Sequence, residues 1–150
     1  RTVYVSDVHA GSMDNWLAGE AEPIDPNVVE WCAMIRRMTA EGITWRRVRI
    51  YADEPTPYQQ WLRLAARPCV EAGEEQRYIS RSAATELGVT EAAGDWWVLD
   101  GETMILFEFD EHRNQTAHLV DDPAMIARAA VDLGTLWPHA VAELVEVAGQ

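Results

Sequence analysis

The run Trp45-Arg46-Arg47-Val48-Arg49-Ile50-Tyr51, followed by Glu54-Pro55-Thr56-Pro57-Tyr58 and closing on Gln76-Arg77-Tyr78-Ile79-Ser80, decides the fold. Its first segment ends in strict alternation, which puts Val48 and Ile50 on one face of a strand and Arg47 and Arg49 on the other. Thr56 before Pro57 reads as a helix start, with a hydroxyl acceptor ahead of a proline whose missing N–H costs nothing at the first helical position. Tyr58, Trp61, Leu62 and Ala65 recur at helical spacing until Pro68 interrupts them, and Gly73 ends the segment. A second strand at 76–80 completes a strand–helix–strand unit, for which a parallel pair is the expected geometry.

On the N-terminal side, Asp25-Pro26 opens a helix whose positions Val28, Trp31, Cys32, Ile35 and Met38 form an apolar stripe up to Gly42. Further upstream, Thr2–Val5 alternates like a short strand, and Asp14–Gly19 reads as a turn of helix stopped by glycine. On the C-terminal side, an Ala/Ser/Thr-rich stretch, Ser82–Ala93, precedes Trp96-Trp97-Val98-Leu99. Asp100-Gly101 is a strong hairpin signal, Met104–Phe109 returns as the partner strand, and Thr116–Val120 makes a third after a turn around Asp110–Asn114. Asp121-Asp122-Pro123 starts a last helix carrying Met125, Ile126, Ala129, Ala130, Leu133 and Trp137. Pro138 is expected to kink or restart it before Val141, Leu144 and Val145. The expected fold class is α/β or α+β, a single domain over 1–150. It would have a mixed sheet with a central strand–helix–strand unit, a three-stranded C-terminal meander and flanking helices.

Composition narrows the function classes. The formal net charge of −13 disfavours direct nucleic-acid binding, which needs cations to neutralise phosphates, and suits a basic partner better. No apolar run is long enough for a membrane span, and the first residues are unlike a secretory signal, so a cytoplasmic location is expected. Cys32 and Cys69 lie in apolar helical contexts and read as buried free thiols. All twelve basic residues are arginine, and alanine is abundant, a pattern of high-GC bacterial coding. Without lysine, Schiff-base chemistry, a phosphate-loop lysine and a His/Lys phosphodiesterase motif are all closed to this chain.

Ser6-Asp7-Val8-His9 is similar to the first metal-binding motif of calcineurin-like phosphoesterases, but the further ligand motifs that chemistry needs do not follow it. His112 and His118, near Asp110, Glu111, Asp121 and Asp122, match no established zinc or calcium spacing and read as a solvated loop. No metal and no cofactor is expected. The residues that invite a site are the aromatic and charged ones near the presumed sheet ends. Arg47, Arg49, Tyr58, Trp61, Glu74, Trp96 and Trp97 are candidate ligand-binding residues, with Arg77 beside them, and Glu54 and Asp95 are the acid/base candidates if the chain is an enzyme. Trp31 and Trp137 fall in amphipathic stripes and are expected in the core. Adjacent Trp96 and Trp97 must point to opposite sheet faces, which leaves one of them half covered.

The succession Gly42-Ile43-Thr44-Trp45-Arg46-Arg47-Val48-Arg49-Ile50, Glu54-Pro55-Thr56-Pro57-Tyr58, Ala72-Gly73-Glu74-Glu75-Gln76-Arg77, Asp95-Trp96-Trp97-Val98-Leu99-Asp100 and Val120-Asp121-Asp122-Pro123 resembles the actinobacterial domain of unknown function 6879 family over nearly the whole chain. Gln76 stands where that family usually has an aliphatic residue, and Pro57 intrudes before Tyr58. The resemblance implies a genomic setting beside helix-turn-helix regulators and no defined activity. The last third, with Leu136-Trp137-Pro138-His139-Ala140, is more weakly similar to phospholipase-D-like domains, and the absence of lysine admits only a non-catalytic version. Two functions follow as expectations. One is a non-catalytic binding or regulatory protein meeting a basic partner or small ligand through an acidic, tryptophan-bearing surface. The other is a small biosynthetic enzyme with a pocket of Arg49, Glu54, Tyr58, Trp61 and Trp97.

Overall fold

The computed structural model describes residues 16–19, 26–90, 95–110 and 115–142. The expected strand at Thr2–Val5, the Asp7/His9 pair, the Asp25 cap and His112 lie outside the described residues. The elements in chain order are helix α1 (Pro26–Ala40), strand β1 (Arg46–Tyr51), helices α2 (Pro57–Ala65) and α3 (Arg67–Glu71), strand β2 (Glu75–Ser80), helix α4 (Arg81–Glu86), strands β3 (Asp95–Leu99), β4 (Thr103–Phe109) and β5 (Gln115–Val120), and helix α5 (Pro123–Leu136).

β1 and β2 pair in parallel, with Arg47 opposite Gln76, Arg49 opposite Tyr78 and Ile50 opposite Ile79. The crossover between them is α2, the helix that the sequence foretells, followed by the short α3, which the sequence did not and which holds Pro68 in its first turn. Thr56 accepts a hydrogen bond from the Gln59 N–H, and the Gln59 side chain accepts one from the Thr56 N–H, a complete capping box with Pro57 at the first helical position. Gly73 turns the chain from α3 into β2 at φ 119°. A Cβ there would stand 2.8 Å from Thr39 Oγ1, so the turn passes under α1 only as glycine. Gly73→Ala is expected to cost about 2 kcal/mol or more through backbone strain and this collision, read as a lowered denaturant midpoint.

The antiparallel strands form a second, separate sheet in the order β3–β4–β5, so the parallel and antiparallel strands belong to two sheets. Asp100 (φ 54°) and Gly101 (φ 71°) both take positive φ in the β3–β4 turn, as a primed hairpin turn demands. His118 belongs to β5 rather than to a loop, and its exposed Nε2 faces Glu108 Oε2 at 2.9 Å on β4.

Three apolar clusters hold these layers together. Val48, Ile50 and Ile79 pack with Ala84 of α4 and with Leu136 and Ala140, covering one face of the parallel sheet. On the other face, Cys32, Ile35 and Trp31 of α1 pack with Trp45, Cys69 and Ala72. The second sheet packs Met104, Trp96, Val98, Leu106 and Val120 on Met125, Ile126 and Ala129 of α5.

Two further elements differ from expectation. α4 was not foreseen, because a six-residue Ala/Ser/Thr helix has no apolar periodicity. Ser80 starts it by accepting from the Ala83 N–H, and Ala84 anchors it in the core. The last helix, starting as expected with Asp122 accepting from the Ala124 N–H, ends at Leu136 and does not restart through Val141. Pro138 offers no N–H to continue the ladder, and Val141 instead exchanges two backbone hydrogen bonds with Tyr78, at 2.7 and 2.9 Å, on the free side of β2.

Candidate functional site

Period-two geometry sets Trp45, Arg47, Arg49 and Tyr51 along one face, opposite a second stripe of Glu74, Gln76 and Tyr78. Their polar atoms form a continuous chain. Arg47 Nε is 2.7 Å from Glu74 Oε1, Gln76 Nε2 donates to Glu74 Oε2 at 2.8 Å, and Arg49 Nε donates to Gln76 Oε1 at 3.1 Å. Arg49, Glu74 and Gln76 are buried, and a buried ionised group persists only with such partners. Tyr78 is buried beside them, and its phenol is pushed above its ordinary value of 10.0 by burial first. Arg49 and Arg63 pull it back and Glu74 adds to the rise.

Tyr58 and Trp61 come from the first two turns of α2 and meet with ring centroids 5.5 Å apart. Trp61 is buried and Tyr58 half-buried. None of Arg47, Arg49, Tyr58, Trp61 and Arg63 is without a partner. The cluster is rich in N–H donors already held by a carboxylate and an amide, an arrangement that fixes geometry and charge.

Cys69 lies at the edge of this group. Its sulfur is 3.9 Å from that of Cys32, and both are free thiols, as the sequence suggests. Burial pushes the Cys69 thiol up to about 12, with Cys32 and Glu74 adding to the rise and Arg47 opposing it.

Trp97 joins a cluster that the sequence did not assemble. Its ring lies 5.6 Å from Trp31, 5.9 Å from Trp45 and 5.3 Å from Phe107, and Trp31 and Trp45 touch at 5.8 Å. This packing ties the second sheet to α1 and to the start of β1. Trp96 points the other way, into the apolar layer on α5, so both members of the pair are half-buried, each under a different cover. Trp137 is half-buried between two cations, with the Arg77 guanidinium 4.2 Å and the Arg46 guanidinium 4.9 Å from its ring centroid. Arg77 Nη1 also donates to the Trp137 carbonyl at 2.7 Å. Arg77 therefore faces the opposite side of the parallel sheet from Arg47 and Arg49.

Of the two acid/base candidates, Glu54 is exposed in the β1–α2 loop and Asp95 is the first residue of β3, its side chain outside the described residues. The same loop carries Asp53, a carboxylate hydrogen-bonded to Ser82. Hydrogen bonds from Ser82 hold it below the ordinary 3.8, so its contribution to stability is present above that value and lost as pH falls through the lower one. Among the described residues no group of three or more His, Cys, Asp and Glu is placed to hold a metal ion. No helix among them is long and apolar enough to cross a membrane.

Gln76 and Tyr78 are the members of the cluster that sequence reading missed. The signal was the alternation 74/76/78, which continues the polar face of β1 across to β2. No curated protein and no solved structure matches the chain. The profile of one family matches residues 1–143, and on that match the chain belongs to the domain of unknown function DUF6879.

Proposed function

We propose that the chain is a non-catalytic binding protein that meets a basic partner, a helix-turn-helix regulator, through an acidic exterior bearing tryptophan edges. The observation that supports this most is how the fold sorts its charges. Apart from Glu74 and Asp132, every carboxylate side chain within the described residues is exposed, whereas among the arginines Arg47, Arg49, Arg63 and Arg77 are turned inward and Arg36, Arg37, Arg46, Arg67, Arg81 and Arg128 are exposed. Exposed Arg46 pairs with Glu75 at 3.1 Å while lying over Trp137. The formal charge of −13 is then displayed largely on exposed carboxylates, which steers a cationic surface onto the protein. Half-buried Trp31, Trp45 and Trp97 supply the amphipathic area that an interface core uses.

The test is calorimetric titration of the full chain with a basic helix-turn-helix regulator domain. Association is expected at 50 mM salt, weakening roughly 10- to 100-fold by 300 mM because the steering charges are screened. Absence of binding at low salt, or binding indifferent to salt, overturns the reading.

A further inference from the structure

Cys32 on α1 and Cys69 on α3 are separated by 37 residues, yet their sulfurs stand 3.9 Å apart with no bond between them. A disulfide needs about 2.05 Å between the sulfurs, so each has to move inward by only about 1 Å. The two thiols are the only cysteines in the chain, so a wrong pairing within one molecule does not arise.

We propose that Cys32 and Cys69 form a dithiol oxidation site, which hydrogen peroxide converts into an intramolecular disulfide joining α1 to α3. Cys69 reacts first, because it is half-buried while Cys32 is only 3% exposed. Its thiolate attacks a peroxide oxygen, the O–O bond breaks, and the departing hydroxide leaves as water with the thiol proton, giving a sulfenic acid. The Cys32 sulfur then attacks the Cys69 sulfur, the S–O bond breaks, and a second water leaves. Two thiols are oxidised and one peroxide is reduced to two waters. The apolar surroundings of Cys69 and its nearness to Glu74 keep the thiolate scarce, so the site is slow at neutral pH and gains about tenfold in rate per pH unit while the pH stays below 12. The crosslink also reaches the buried polar chain, because the Glu74 N–H donates to the Cys69 carbonyl at 3.0 Å.

The experiment treats the reduced full chain with excess hydrogen peroxide at pH 7.5 and 9.0, traps remaining thiols by alkylation, and maps peptides without reduction. The expected product is a Cys32–Cys69 crosslinked peptide, about 2 Da lighter than the two free peptides and restored by dithiothreitol. It should form roughly 30-fold faster at pH 9.0. The crosslinked chain should unfold at a midpoint higher on the order of 10 °C, since closing a loop of this length restricts the unfolded chain. Cys32→Ser should leave Cys69 as a sulfenic acid trapped by dimedone, with no crosslink. The wild-type pH comparison decides the matter even where that variant folds poorly. Recovery of both thiols at pH 9.0, crosslinks only between molecules, or Cys69 sulfinic acid beside an intact Cys32 thiol each overturns the proposal.

Discussion

Replacing Glu74 by alanine is expected to lower stability by about 3–5 kcal/mol, the range for removing one partner of a buried ion pair. The magnitude comes from what is left behind. Arg47 loses the carboxylate 2.7 Å from its Nε, Gln76 loses the acceptor of its amide, and the amide then no longer holds its oxygen toward Arg49. Water does not take over at these atoms without opening the α1–α3 layer, so the desolvation cost of the guanidinium falls on the fold. Glu74→Gln keeps an acceptor and the volume while losing the charge, and should cost less, about 1–3 kcal/mol. The exposed Arg46–Glu75 pair provides the comparison. Glu75→Ala should change stability by under about 1 kcal/mol, because both side chains are half exposed and solvent screens the pair. Urea titrations of the three variants check the order. Equal losses at Glu74 and Glu75 contradict the account.

The second large effect is expected at Trp97. Trp97→Ala should cost about 3 kcal/mol, combining lost apolar area with loss of the two ring contacts, to Trp31 and Trp45, that hold the β3–β4–β5 sheet against α1 and the start of β1, and of the Phe107 contact within the sheet. Thermal and urea unfolding followed by tryptophan fluorescence and by far-ultraviolet dichroism measures it. A Trp97 variant whose sheet is loosened should lose coincidence between the two probes. Trp45→Phe is the informative control. It keeps an edge-on ring in the cluster and removes an indole N–H that is buried without a hydrogen-bond partner among the described residues, so its net change should stay within about 1 kcal/mol.

Local chemistry made most of the backbone legible. The Thr56–Pro57 start, the Val48/Ile50 alternation, the Asp100-Gly101 turn and the Asp122-Pro123 start each act within a few residues, and each recurs in the fold. The α4 helix and the Val141 bridge escaped because tertiary partners create them, Ala84 being seated in a core and Val141 completing the free hydrogen bonds of β2. At the site, Arg47, Arg49 and Glu74 were separate candidates in the sequence, and the fold links them through Gln76. Trp97 was grouped in sequence with Arg49 and Tyr58, whereas its ring contacts are with Trp31, Trp45 and Phe107. Sequence gives the parity of a strand residue but not which neighbouring element covers that face.

The parallel pairing of β1 with β2 also bears on the order in which the chain folds. Arg46 and Glu75 are 29 residues apart, whereas Leu99 pairs with Thr103 across a tight turn. Loop closure makes the distant pairing the slower event, so the antiparallel hairpin is in place before the two parallel strands meet. The buried arginine–carboxylate chain spans both parallel strands and is completed only at that late stage. Its interactions belong to that slow step, so the destabilisation at Glu74 should appear as slower refolding as well as faster unfolding.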